Sequence, residues 1–236
     1  MVVSISQPAY LPWLGYFDLI AGSDVFVFLD HVQFEKQSWQ SRNRLKGSNG
    51  EPFWLSVPVK VARLDTPIAQ VELAQRPDTW RRKHLKSIRM ALGKSPFFDA
   101  LFPQLEEWLR EEHGTLADLN ISGIERMALL LGIDTRMVRS STLPVEGRKV
   151  DLVLSILHEL GATQYRANEG SRDYTEAERH RFEQAGINVV YQQWEHPVYP
   201  QPHGPFLSHL AFPDPVCNLG LRKASALLGM EKNSAL

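Results

Sequence analysis

Side chains that could do chemistry concentrate in one stretch of the 236-residue chain, from Gln7 to Lys46. This stretch contains His31, preceded by Asp30 and followed by Lys36 and Arg42. Histidine can accept or donate a proton near neutral pH. Lysine and arginine bind phosphate or carboxylate, and arginine does so through a bidentate fork. We predict that His31, Asp30 and Lys36 form a catalytic group, with His31 as general acid or base and Lys36 and Arg42 as anion clamps.

Amide and aromatic side chains in the same stretch suit a polar ligand. Trp13 and Trp39 could stack on a sugar or a base, and polar groups at this density would be costly to bury without partners. The predicted substrate-binding residues of this stretch are Gln7, Tyr10, Trp13, Gln33, Trp39, Arg42 and Asn43.

Each of these residues also has an ordinary structural explanation. A single histidine at a strand end is more often a surface residue or one with its hydrogen bonds satisfied. Trp13 and Trp39 could be packing residues, and an arginine-rich strand is commonly a solvated face. The functional interpretation depends on all of these side chains meeting at one place in the fold.

The elements around this stretch predict such a meeting place. Val2 to Ser6 is typical of a buried strand, Trp13 to Ala21 of a short helix, and Asp24 to Asp30 of a second buried strand. Strand, helix and strand within thirty residues indicate a βαβ unit with parallel strands. The loops after the two strands would then lie at the same edge of the sheet, where ligands bind in open α/β folds.

The rest of the chain predicts an α/β fold, Rossmann-like, with a mostly parallel sheet, helices on both faces, a β-hairpin and a central helical insertion. We expect a single domain over residues 1–236, with residues 75–131 as the insertion and residues 195–205 as a loop or lid. The predicted strands are 39–45 and 53–58 (the hairpin), 67–73, 135–139, 164–166 and 187–191. The predicted helices are 79–92, 97–112, 116–131, 148–160, 175–184 and a last one from Leu221.

Composition excludes several classes. Basic and acidic residues nearly cancel, 26 against 27, so no nucleic-acid partner is expected. No apolar run approaches the roughly 18–20 residues that span a bilayer, and the single cysteine, Cys217, suits a reducing compartment, so we expect a cytoplasmic protein without membrane insertion. The spacing of His196, His203 and His209 with Asp214 matches no tight metal motif, so no metal is predicted, and no cofactor can be named.

Motifs along most of the chain resemble those of the WbqC-like family. The motifs are Gln7-Pro8-x-Tyr10-Leu11-Pro12-Trp13-x-Gly15-Tyr16-Phe17, Asp30-x-Val32-Gln33-Phe34-x-Lys36, Ser38-Trp39-Gln40-x-Arg42-Asn43-Arg44, Trp54-Leu55-Ser56-Val57-Pro58 and Tyr199-x-Gln201 followed by Phe206-Leu207-Ser208. Three further binding residues, Tyr199, Gln201 and Ser208, are taken from the last motif. The resemblance implies a bacterial enzyme of surface-polysaccharide (O-antigen) or secondary-metabolite biosynthesis.

Two functions remain open. The first is a transferase that tailors an activated amino sugar or a related amine with an acyl, aminoacyl or nucleotidyl donor, and it predicts a deep pocket in which His31 faces Tyr199 or Gln201. The second is a non-catalytic binding or scaffold protein for a glycan precursor or a partner enzyme, with Trp13 and Trp39 exposed on a shallow platform. The expected partner is a small sugar or amine, and the oligomeric state is left open.

Overall fold

The computed structural model describes residues 1–74 and 77–229, with the backbone alone at residues 77 and 78. The first two residues of the predicted insertion and the last seven of the predicted domain lie outside the described residues. Nine strands occur in the described part: β1 Val2–Ser6, β2 Val25–Phe28, β3 Arg42–Lys46, β4 Pro52–Ser56, β5 Val59–Lys60, β6 Glu72–Leu73, β7 Arg136–Arg139, β8 Gln164–Ala167 and β9 Asn188–Tyr191.

Five of these strands form a parallel central sheet in the order β7-β2-β1-β8-β9. The βαβ prediction is confirmed: β1 and β2 are neighbours, Val3 lies opposite Val25, and helix α1, Leu14–Ala21, connects them. The α/β class with a mostly parallel sheet is confirmed as well. β1 is the middle strand, so the loop at its carboxyl end lies between the loops that follow β2 and β8.

The sheet separates two apolar cores, as strand alternation requires. Phe26 and Phe28 pack on the face that carries α1, whereas Val25 and Val27 pack on the opposite face. The second face is covered by helix α5, Val150–Glu159. Helices therefore lie on both faces, as predicted.

The hairpin prediction is confirmed, because β3 and β4 pair antiparallel, but its first strand begins at Arg42 and not at Trp39. The strand predicted over 67–73 is wrong for most of its length. Ile68–Gln70 is a 3-10 turn, and the short β6 that follows pairs with β5 instead of joining the hairpin. The amide groups of Ile68 and Ala69 donate to the carbonyls of Val32 and Asp30, so this segment packs on the loop after β2.

Helices α2 Pro77–Leu92, α3 Phe98–Arg110 and α4 Leu116–Leu130 follow the predicted pattern. The helix predicted over 175–184 is wrong as one element: it is divided into α6 Arg172–Ala177 and α7 Arg179–Gln184 at Glu178. Helix α8, Pro213–Leu219, precedes α9, Leu221–Ala226, and was not predicted. Its prolines look like helix breakers, yet proline is favoured in a first helical turn. None of the helices within the described ranges is both long and apolar enough to cross a membrane.

Candidate functional site

A cleft of about 1110 Å³ opens at the carboxyl ends of β1, β8 and β9. The chain leaves β1 toward β2 on one side, while β8 lies on the other side of β1. This is the point at which strand order reverses, where open α/β sheets leave a crevice between diverging loops. We call it the switch-point cleft.

Polar and aromatic side chains dominate the lining of the switch-point cleft. Its aromatic residues are Trp13, Tyr16, Trp39 and Trp194; its charged residues are Glu35, Glu169, Arg172 and Glu195; its amides are Gln7, Gln40, Asn43, Asn168, Gln192 and Gln193; and it contains one imidazole, that of His209, within the described residues.

Four of the predicted binding residues line this cleft: Gln7, Trp13, Trp39 and Asn43. The Oε1 atom of Gln7 accepts a hydrogen bond of 2.7 Å from Nε2 of Gln40. The side chain of Asn43 is buried and donates to the carbonyls of Tyr10 and Leu11, at 3.1 and 2.7 Å. Asn43 therefore also fixes the loop after β1. The binding roles of the four residues stay predictions.

Trp13 stands directly before α1 and forms one wall of the cleft. A Cβ atom at Gly15 would lie 2.1 Å from Cζ3 of Trp13, so glycine is required there for the indole to pack against the helix start. The indole also lies 4.8 Å from the ring of His209 and 6.1 Å from that of His196, measured between ring centroids.

Residues 192–212, which connect β9 to α8 and are called the strap, supply a second wall that adjoins Trp13. In the strap, Nε2 of His196 accepts a hydrogen bond of 3.0 Å from the backbone amide of His209. Nδ1 of His196 must then carry the proton that it donates to the carbonyl of Pro197, also at 3.0 Å. His196 is thus a neutral residue with both ring nitrogens in use, and burial lowers its pKa.

His209 is arranged differently. Its backbone has a φ of 56°, a value uncommon for a residue with a side chain, and the hydrogen bond to His196 holds it there. Neither nitrogen of its ring has a hydrogen-bond partner among the described residues. Burial lowers the pKa of His209, and the Arg44 guanidinium lowers it further. The cleft therefore presents a neutral imidazole near neutral pH.

The carboxylates of the cleft are unequally paired. Glu169 binds Arg172 through two hydrogen bonds, of 2.5 and 2.7 Å. The carboxylates of Glu35 and Glu195 have no ion-pair or hydrogen-bond partner among residues 1–74 and 77–229. With Arg172 already neutralised, the cleft carries two unpaired negative charges.

The floor of the cleft is held by a buried network. Nε2 of Gln192 donates to the carbonyl of Gly15 at 2.7 Å and to Oδ2 of Asp18 at 2.6 Å. Asp18 also pairs with Arg166 of β8 at 2.8 Å. These bonds join the start of α1 to β8 and to the start of the strap, so the three walls are fixed relative to each other.

The predicted catalytic group lies outside the lining of this cleft. Asp30 is buried at the end of β2, and its carboxylate accepts hydrogen bonds from the hydroxyls of Ser140 and Ser141 and from the amide of Ser141, at 3.1, 2.8 and 2.9 Å. Nδ1 of His31 lies 2.6 Å from Oγ of Ser140. Lys36 is exposed. Their catalytic roles stay predictions, but the observed partners of Asp30 and His31 belong to the turn after β7.

The remaining predicted binding residues lie around the cleft rather than in its lining. Tyr10 is fully buried; its hydroxyl contacts Nδ1 of His84 at 2.8 Å, and burial raises its pKa. Gln33 donates to the carbonyl of Leu64 at 2.9 Å. The guanidinium of Arg42 lies over the indole of Trp54, with 4.2 Å from Cζ to the ring centroid.

Tyr199, Gln201 and Ser208 hold the strap. Tyr199 and Gln201 donate to Oδ1 of Asp214, at 2.8 and 3.1 Å, and the carbonyl of Ser208 accepts from Arg44 at 3.4 Å. Burial raises the pKa of Asp214 to about 6. The predicted approach of His31 to Tyr199 or Gln201 is replaced by these contacts.

Sequence reasoning missed the cleft residues from β8 onward. Asn168, Glu169 and Arg172 follow β8, and Gln192, Trp194 and Glu195 follow β9. Each group stands directly after a predicted strand, so the rule that ligands bind at carboxyl ends could have found them. The position of His209 gives no such signal.

Comparison with known proteins settles the family. Residues 7–226 match the sequence profile of the WbqC-like protein family. The chain belongs to the WbqC-like protein family. It is 30% identical over 225 residues to a protein of Mycobacterium tuberculosis, strain H37Rv, whose name is "Uncharacterized protein Rv1507c", and the alignment covers 92% of this chain and 94% of that protein. No solved structure gives a significant match.

Proposed function

We propose that this WbqC-like chain is a transferase that modifies an amino sugar or a related amine in surface-polysaccharide or secondary-metabolite biosynthesis. The switch-point cleft would hold the amine. The observation that carries the proposal is the pair of carboxylates, Glu35 and Glu195, that line the cleft without a cation partner among the described residues.

An ammonium group is the natural partner of such carboxylates. Both carboxylates are exposed and so are accessible to a ligand, and a charged hydrogen bond is about twice as strong as a neutral one. The amides of the lining can bind hydroxyl groups, and Trp13 and Trp39 offer flat apolar faces for a sugar ring. A volume of about 1110 Å³ is slightly above the usual range of ligand pockets, which leaves room for a donor beside the acceptor.

Transfer to an amine requires that the ammonium lose a proton before its nitrogen attacks. His209 presents a neutral imidazole to the cleft and is the proton acceptor in this proposal. The nitrogen then forms a bond to the acyl carbon or the phosphorus of the donor. The bond from that atom to the leaving group breaks, and the leaving group departs with its electron pair.

The non-catalytic alternative has one observation in its favour. Trp39 and Trp54 expose 49% and 45% of their surface and lie 5.4 Å apart between ring centroids. Such a pair is also typical of a platform that holds a glycan without changing it. A product formed from a donor and an amine by the purified protein would decide for the enzyme.

The amine proposal is tested by calorimetry with glucosamine and glucose, which differ at C2 by an amino group. We expect glucosamine to bind more tightly, and Glu35→Gln and Glu195→Gln each to weaken its binding by roughly threefold, because ion pairs of exposed carboxylates are screened by water. Glu51→Gln, at an exposed position outside the lining, is the matched control.

Equal binding of the two sugars, unchanged in the double variant at positions 35 and 195, would refute the amine proposal. Mass spectrometry of small molecules that co-purify with the protein gives an independent test, since it reports the ligand without an assumption about the reaction. An amine-free ligand in the cleft would contradict the proposal.

A further inference from the structure

We propose that Arg42, together with Trp39 and Trp54, forms a phosphate-binding subsite at the rim of the switch-point cleft. Its ligand would be a phosphate ester carried by a sugar or nucleoside ring. The inference rests on the proposed function in placing the rest of the ligand in the cleft.

Three cations occupy alternate positions of β3. Asn43 and Leu45 point into the core, and Arg42, Arg44 and Lys46 alternate with them on the outer face of the hairpin. Trp54 lies opposite Arg44 in the antiparallel pairing and shares this face. Three positive charges at i, i+2 and i+4 repel each other unless acceptors surround them.

The strap supplies acceptors for two of the three. Nζ of Lys46 donates to the carbonyls of Gly204 and Pro205, at 3.1 and 2.6 Å. The guanidinium of Arg44 donates a hydrogen bond to the carbonyl of Ser208. The backbone carbonyl of Arg44 accepts a hydrogen bond from the amide of Ala211. Both charges therefore have carbonyl acceptors in the strap, and the Lys46 ammonium also acts electrostatically on the Asp214 carboxylate.

Arg42 is different, because the described residues contain no hydrogen-bond acceptor or carboxylate for its guanidinium. Its Nε atom is buried and without a partner, as is that of Arg44, but Arg44 has the carbonyl of Ser208 as an acceptor for its Nη2 atom. The guanidinium lies over the indole of Trp54, with Cζ at 4.2 Å from the ring centroid, and this contact holds it beside the ring. A guanidinium that is oriented in advance loses less freedom when it binds an anion.

The two indoles connect this guanidinium to the cleft. Trp54 is 5.4 Å from Trp39, and Trp39 belongs to the cleft lining. A ring stacked on these indoles would place an attached phosphate beside Arg42, where a bidentate contact is available. The carboxylates of Glu35 and Glu195, which also line the cleft, favour an amine on the same ligand.

Titration calorimetry with glucosamine 1-phosphate and glucosamine tests the subsite. We expect the phosphate ester to bind at least tenfold more tightly, and Arg42→Gln to remove this difference while glucosamine binds as before. Arg42→Lys should restore part of it, because the charge is kept and the fork is lost. Arg63→Gln, an exposed arginine paired with Asp65, is the control and should change nothing.

Glucose 1-phosphate, uridine 5′-monophosphate and inorganic phosphate complete the series. Tighter binding of either ester than of inorganic phosphate, lost in Trp54→Leu, supports the subsite and identifies the ring. Equal binding of inorganic phosphate and both esters would overturn it, as would an Arg42→Gln variant, folded by circular dichroism, that retains the preference for phosphate. Failure of glucosamine to bind, with Arg42-dependent binding of the phosphate esters, would refute the amine proposal and leave the subsite in place.

Discussion

The loop after β2 and the switch-point cleft lie at the same edge of the same sheet, and both are rich in polar side chains. In the loop after β2, Asp30 accepts three hydrogen bonds from the serines after β7, and His31 contacts one of the same hydroxyls. In the cleft, the carboxylates of Glu35 and Glu195 and the ring of His209 have no partner among the described residues. A high density of polar side chains therefore occurs both where these residues stabilise the fold and where they line a cleft. The two regions differ in whether the polar groups have hydrogen-bond partners in the protein.

The difference follows from sheet order. β7 lies directly beside β2, so the turn after β7 covers the end of β2 and satisfies its polar groups. Between β1 and β8 the connections diverge to opposite sides, and no turn closes the gap in the described structure. The cleft remains open there.

Substitution of His209 and of His31, each in a separate variant, tests this comparison with the largest expected effect. His209→Gln should lower kcat for transfer to an amine by roughly 10²–10⁴-fold, the usual contribution of a general base, while ligand binding is kept. His31→Gln should leave kcat within about threefold, because its observed contact is to Ser140 and not to the cleft. Steady-state kinetics with calorimetry on both variants gives the answer.

The opposite result, loss of turnover in His31→Gln with His209→Gln unaffected, would restore the role first predicted for His31. Equal and complete loss of binding in both variants would mean that neither histidine is distinguished by the cleft.

Removal of the Asp30 carboxylate tests the structural half of the comparison. Asp30→Ala should lower the free energy of unfolding by about 3–5 kcal/mol, because it leaves buried hydroxyl and amide donors of the turn after β7 unpaired. Urea unfolding measures the loss. Asp65→Ala, at an exposed ion pair, should leave the unfolding midpoint nearly unchanged, and equal losses in the two variants would contradict the assignment.

The pH dependence of stability tests a second buried carboxylate, Asp214, whose Oδ2 atom has no partner, unlike either oxygen of Asp30. Burial raises the pKa of Asp214 to about 6 from an ordinary value of 3.8. Between these values the folded protein holds this proton more often than the unfolded chain does, so its contribution to stability is lost as pH rises.

We therefore expect the Asp214 carboxyl to lower the free energy of unfolding by about 2–3 kcal/mol above pH 6, relative to pH 4. Asp214→Asn should remove this component, so the difference between the two unfolding curves grows from pH 4 to pH 6 and is then constant. A difference that does not vary with pH over this interval would show that the carboxyl does not titrate there.

Local patterns in the chain were enough to predict much of the fold. The apolar run of β1, the spacing of α1 and the run of β2 gave a βαβ unit. Helices α2 to α4 followed their 3.6-residue period. Helix α8 was not predicted because Pro213 and Pro215 suggest a helix breaker. In the first turn, however, a proline removes no hydrogen bond of the helix, since the amides there have no acceptor within it.

Residue types, strand ends and the family motif are properties of the chain itself, and they were sufficient for the α/β class and for the polar wall formed by Gln7, Trp13 and Trp39. The order of strands and the path of the strap depend on contacts between residues more than a hundred positions apart, such as Gln192 with Gly15. A sequence pattern does not contain such contacts, because they depend on how whole elements pack. The tertiary structure alone decided that the end of β2 would be covered and that His209 would reach the cleft.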